Sequence, residues 1–149
     1  MFGPPESIVA HSFGAQVAFA AFAGGGPGRL ALVAPAIRPY AMTEGFARML
    51  ALSPSATRRF VERIDRYAGP QILPILRGEG DVPGSDVRVF HDPADTRTPF
   101  ADAERFAHQR SGARIVAVED VGHHRILEHP EVVAAIAGFV AGSERSMVG

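Results

Sequence analysis

The sequence predicts an α/β fold, a four-stranded parallel sheet with flanking helices. Two observations carry that expectation. Short apolar runs closed by Gly, Pro, Ser or Asp alternate with segments of helical spacing. The runs are apolar almost throughout, as in strands buried on both faces, which is the habit of parallel sheets. The size agrees: 149 residues suit one compact domain, and 46% hydrophobic with 21% charged residues is the balance of a globular chain.

The elements follow in order. Ser7 to His11, with Ile8-Val9-Ala10 at its centre, reads as the first strand and ends at Ser12-Phe13-Gly14. Ala15 to Ala23 is small or apolar nearly throughout, as in a helix buried on most sides, with Phe19 and Phe22 as core residues. The run Gly24 to Gly28 stops that helix. It follows a helix and lacks the Lys-Ser/Thr of a nucleotide site, so it reads as a turn and not as a phosphate loop. Arg29 to Val33 is the second strand, closed by Pro35; Val87 to Phe90 and Arg114 to Val118 are the third and fourth. Thr98 and Pro99 are the N-cap and first-turn candidates of a helix reaching about Gln109, and Pro130 opens the last helix with Val132, Val133, Ile136, Phe139 and Val140 at helical spacing. Residues 36–84 form an insertion with helices of its own. The clearest runs from Ser53-Pro54 to Gly69-Pro70, with Thr57, Phe60, Val61, Ile64 and Ala68 inward and Arg58, Arg59, Glu62, Arg63, Asp65 and Arg66 outward. Acids among those arginines make this a solvated face and not a nucleic-acid surface.

Composition excludes several function classes. Fifteen basic residues, all arginine, oppose sixteen acidic ones, and a net charge of −1 supplies no field for nucleic acid or anionic lipid. No apolar run reaches the roughly 18 residues of a membrane span, and the N-terminus does not read as a signal peptide, so a cytoplasmic location is expected. Without cysteine there is no disulfide, thiolate metal site or cysteine nucleophile. His123, His124, Glu128 and His129 lack the one-turn ligand spacing of helical zinc motifs, so neither a metal nor a cofactor is expected.

The chemistry-bearing residues collect at one edge. Ala10-His11-Ser12-Phe13-Gly14 sits where a buried strand gives way to a helix, a sharp turn that lifts a serine above the strand ends with a strained backbone. Such a turn needs small residues two before and two after the serine, which Ala10 and Gly14 supply. The helix behind it favours negative charge near Ser12 Oγ, and the Phe13 N–H can point at an oxyanion. His11 is expected to pack or hydrogen-bond beside the site. His91-Asp92-Pro93-Ala94-Asp95 follows the third strand, and Gly122-His123 follows the fourth. Parallel strands send all these C-terminal ends to one edge, where open α/β sheets place their sites, so Ser12, Asp95 and His123 can converge. Asp92 rivals Asp95 and His124 rivals His123. The spacing of Asp95 to Pro99, and the position of His123 directly after Gly122, favour the first of each pair.

With these residues in place the chain resembles the C-terminal portion of the α/β-hydrolase-fold family, from the nucleophile elbow onward. The matching pieces are Ala10 to Gly14, Asp92 to Pro99, and Gly122-His123 through Glu128-His129-Pro130, with Ala10 in place of the elbow's first glycine. The resemblance covers nearly all of residues 1–149 apart from 36–84, which is similar to the helical cap over the family's site. It implies a catalytic triad with Ser12 as nucleophile, His123 as general base and Asp95 as the orienting acid, and an esterase-like serine hydrolase acting on a carboxylic ester or related small acyl substrate through an acyl-serine. Thioester hydrolysis or perhydrolysis would use the same residues. A serine at position 12 argues against the dehalogenase branch, which uses aspartate there. The family places further strands, and a loop donating the second oxyanion N–H, before the elbow; only eleven residues precede Ser12 here. The resemblance therefore implies a truncated chain, a mis-called start at Met1, or one piece of a two-chain assembly. Its alternative is an inactive fragment or binding module retaining the rear half of the fold. The open edge of the first strand is expected to support self-association.

Overall fold

The computed structural model describes residues 5–22, 25–79, 82, 84 and 86–143, the side chains of Glu44 and Gln71 excepted. Four strands, β1 (Ser7–His11), β2 (Arg29–Val33), β3 (Asp86–His91) and β4 (Ala113–Ala117), form one parallel sheet in the order β1-β2-β3-β4. Ala10, Leu32, Val89 and Ile115 lie in one row across it. The helices are α1 (Gly14–Ala21), a 3-10 turn (Pro39–Met42), α2 (Thr43–Met49), α3 (Pro54–Leu76), α4 (Phe100–His108), α5 (Gly122–Arg125) and α6 (Pro130–Val140). The expected order of strands and helices holds. The fourth strand is displaced by one residue toward the N-terminus, leaving Val118 outside it. The first helix ends at Ala21; Ala23 and Gly24 lie outside the described residues.

Both faces of the sheet are covered, as an apolar parallel sheet requires. On one face Ala31, Val33 and Phe90 meet Val121, Ile126, Val132 and Phe139, a cluster nearly closed to solvent. The alternate residues Leu30, Leu32 and Val89 point the other way and are fully buried. There α1 packs on β1 and α4 on β3 and β4, and Phe19 stacks on Phe106 with ring centroids 6.1 Å apart. The expectation that α1 is buried on most sides is only half met. Ala15, Gln16, Ala18 and Phe19 are buried, but Val17 is 61% exposed. Gln16 is held by donating from Nε2 to the carbonyls of Ala36 (2.6 Å) and Ile37 (3.3 Å). On α6, Val132 and Phe139 are buried, whereas Val133 faces solvent.

The chain divides into two compact units, residues 38–81 and the remainder. Within 38–81, Ser53 caps α3 by accepting from the Ala56 N–H at 3.3 Å, and Pro54 fills its first turn. Gly69, at φ 62 and ψ −179, breaks the helix, and Pro70 opens the last stretch to Leu76. The inward stripe Thr57, Phe60, Val61, Ile64 and Ala68 is half-buried, and Arg58, Arg59, Glu62, Arg63 and Arg66 are exposed. Asp65 departs from the expected outer face. It is half-buried because it accepts a 2.9 Å hydrogen bond from the Tyr40 hydroxyl. No helix among the described residues is long and apolar enough to cross a membrane.

Candidate active site

Strand β1 ends at His11 and α1 begins at Gly14, so the chain reverses through Ser12 and Phe13. Ser12 sits at φ 54, a conformation that costs a non-glycine residue free energy and persists only where its surroundings fix it. Three backbone bonds do so. The Ser12 N–H donates to the Val33 carbonyl (3.0 Å), and its carbonyl accepts from Ala15 (3.2 Å) and Ala36 (3.0 Å). A Cβ placed on Gly14 would lie 4.0 Å from the Ala10 Cβ, so the turn admits one methyl there and little more. Phe13 is the N-cap of α1, where the helix leaves its first N–H groups without intrahelical partners.

Asp95 occupies the loop after β3 with its side chain wholly buried. Its Oδ1 accepts from the backbone N–H of Arg97 (2.7 Å) and Thr98 (3.2 Å), and its Oδ2 accepts from the Thr98 hydroxyl (2.9 Å) and His123 Nδ1 (2.7 Å). Burial works to raise its pKa, but hydrogen bonds from His123, the Arg97 and Thr98 N–H groups and the Thr98 hydroxyl outweigh it and hold the value at about 2. An ionised carboxylate only accepts, so His123 carries its proton on Nδ1 and presents a bare Nε2. That Nε2 stands 3.0 Å from Ser12 Oγ. The three residues expected to converge are thus joined in one hydrogen-bonded chain.

The rivals have other positions. The hydrogen bonds of Asp92 run to backbone N–H groups. The residue is buried, accepting from the Ala94 N–H at Oδ1 (2.8 Å) and from the Val121 (2.9 Å) and Gly122 N–H groups at Oδ2. Burial opposes its ionisation, yet the Gly122, Ala94 and Val121 N–H groups lower its pKa. Asp92 therefore ties the loop after β3 to the segment that carries His123. Gly122, at φ 68, makes the turn that swings His123 inward. His124 is exposed, and His11 donates from Nε2 to the His123 carbonyl at 3.0 Å.

Two residues have contacts that their place in the sequence does not announce. Thr98 is not the N-cap of α4, which starts at Phe100 with no side-chain cap. Its buried hydroxyl is drawn instead to the Asp95 carboxylate, the stronger acceptor. His91 at the end of β3 is completely buried, with Nε2 3.3 Å from Asp95 Oδ2 and Nδ1 unpartnered. Burial, opposed by Asp95, lowers its pKa and keeps it neutral, so Asp95 receives two histidines, of which only His123 reaches Ser12. The pattern of Asp after a strand signalled the loop, but nothing in it distinguished His91 from an ordinary last strand residue.

No protein-family model matches the sequence, and no curated protein matches it. Solved structures do. The chain is similar to an esterase from Exiguobacterium antarcticum (16% identity, TM-score 0.57, 93% of this chain and 67% of that one). It is likewise similar to an α/β-hydrolase enzyme from a Medee basin deep-sea metagenome library (14%, TM-score 0.58, 98% and 68%) and to the monoacylglycerol lipase of Paleococcus ferrophilus (16%, TM-score 0.57, 93% and 69%). The chain spans about two thirds of the length of these structures, and over that span it has the α/β-hydrolase fold.

Proposed function

We propose that the protein is a serine hydrolase acting on a carboxylic ester or related small acyl substrate, with Ser12, His123 and Asp95 as its triad. The observation that carries this reading is the hydrogen-bonded chain from Ser12 Oγ through His123 to the buried Asp95, on a serine whose φ is 54. Esterases and a lipase among the structures of like fold support it.

The chemistry follows from the proton positions. Ser12 Oγ attacks the acyl carbon as His123 Nε2 takes the hydroxyl proton, and the ionised Asp95 stabilises the resulting imidazolium. The carbonyl oxygen becomes an oxyanion for which the Phe13 N–H and the positive end of α1 provide the local donor and field. Collapse expels the alcohol, which takes the proton from His123 Nε2, and leaves acyl-Ser12. A water then attacks with His123 as base, and collapse releases the carboxylic acid and restores Ser12. A fluorophosphonate should label the chain once, and Ser12→Ala should abolish labelling. An inert serine in a folded chain would overturn the reading in favour of a binding module with the same fold.

A further inference from the structure

We propose that His11, His123 and His124 form a zinc site that reversibly blocks Ser12. One ring nitrogen of each lies within 4.8 Å of the others. The rings are mutual neighbours: centroids are 4.9 Å apart for His11 and His123, 4.9 Å for His123 and His124, and 5.9 Å for His11 and His124. This set differs from the His123, His124, Glu128 and His129 grouping of the sequence, because His11 arrives from β1 and not from the same loop.

Each of the three rings can offer a lone pair. Asp95 keeps the proton of His123 on Nδ1, so Nε2 is bare. His11 spends one nitrogen on the His123 carbonyl and has a second. His124 is exposed and meets His123 edge to face. Tetrahedral zinc with bonds of about 2.0–2.1 Å sets its ligands roughly 3.4 Å apart, so the nitrogens, now within 4.8 Å of one another, need to close by up to about 1.4 Å. Asp95 behind His123 is the carboxylate partner that zinc-binding histidines generally carry. Three imidazoles leave a fourth position for water.

The consequence is regulatory. His123 Nε2 has one lone pair, and coordination takes it from the Ser12 hydroxyl. The blocking effect rests on the hydrolase reading; the binding itself does not. Zinc chloride should titrate into the chain with a stoichiometry of one by calorimetry, weakening at least about tenfold in His124→Ala and again in His11→Ala. Bound zinc should slow fluorophosphonate labelling of Ser12, a chelator should restore it, and this protection should vanish in His124→Ala measured against its own metal-free labelling. Absence of binding at about 10 μM free zinc, or binding indifferent to both substitutions, would overturn the site. Binding without protection would overturn the block. A metal-free chain that does not label at all defeats the hydrolase reading and leaves the calorimetry to decide the site.

Discussion

Asp92 and Asp95 lie three residues apart in one loop and are both buried and acid-shifted, yet their partners separate them. Asp95 faces a titratable ring, Asp92 only backbone N–H groups. Asp95→Asn keeps an acceptor for the Arg97 and Thr98 N–H groups but loses the charge opposite His123. It should fold and slow Ser12 labelling on the order of 10³-fold or more. Asp92→Ala leaves three N–H groups without their acceptor and should lower the stability measured by urea unfolding by roughly 3 kcal/mol. Similar effects of the two substitutions on both readouts would refute this division. The acid side follows from the same shifts. Asp95 titrates at about 2 in the folded chain against 3.8 ordinarily, so folding favours the carboxylate. That contribution, roughly 2 kcal/mol, is full above the unfolded value and disappears as pH falls through 3.8 toward 2. Asp92 acts in the same direction. Stability measured from about pH 5 to 2 should therefore fall less steeply in Asp95→Asn than in the parent, and parallel slopes would count against a native hydrogen-bonded carboxylate.

At the level of elements, the turn from β1 to α1 stores conformational strain at Ser12. Ser12→Ala and Ser12→Gly both remove the hydroxyl, but only glycine relieves φ 54. The glycine variant should be more stable than the alanine variant by about 1 kcal/mol, while neither labels; equal stability in thermal unfolding would show that the turn is unstrained. This turn was legible in the sequence because strand, small residue, serine and helix each leave a mark. So were β2 and β3, whose apolar runs exist because both sheet faces are covered. What was not legible depends on contacts between distant segments. The four-residue α5 is too short to show a period, and it is placed by Asp92 reaching across to Val121 and Gly122. Thr98 carries the local signature of a cap, and a carboxylate brought to it by the loop overrides that preference. The nearness of Ser12, Asp95 and His123 was legible because chain direction alone sends the ends of parallel strands to one edge. Asp65 was misplaced because its Tyr40 partner lies outside the helix whose period was being read.

For the molecule as a whole, the sheet order makes β1 an edge among the described residues, paired with β2 on one side only. An open edge offers backbone N–H and C=O groups in a row, and charge or proline usually guards it. Ser7 to His11 contains neither. Around it the surface is apolar: Val9 on the strand is 49% exposed, and Phe13 and Val17, one helical turn apart, are 54% and 61% exposed. We propose that a second copy pairs with this edge. A twofold axis would set β1 antiparallel to its equivalent and bury the same three side chains of both copies. Sedimentation velocity should then show a dimer that dissociates on dilution through the micromolar range. Val9→Lys puts a charge beside the pairing groups without touching Ser12, His123 or Asp95, and should shift the chain to monomer while leaving its unfolding midpoint nearly unchanged. A parent chain that sediments as a monomer throughout that range, or a dimer indifferent to Val9→Lys, would place the association elsewhere or remove it. If the dimer forms as proposed, labelling of Ser12 should be measured on both sides of the dissociation midpoint, because β1 ends one residue before the serine and its ordering holds the turn.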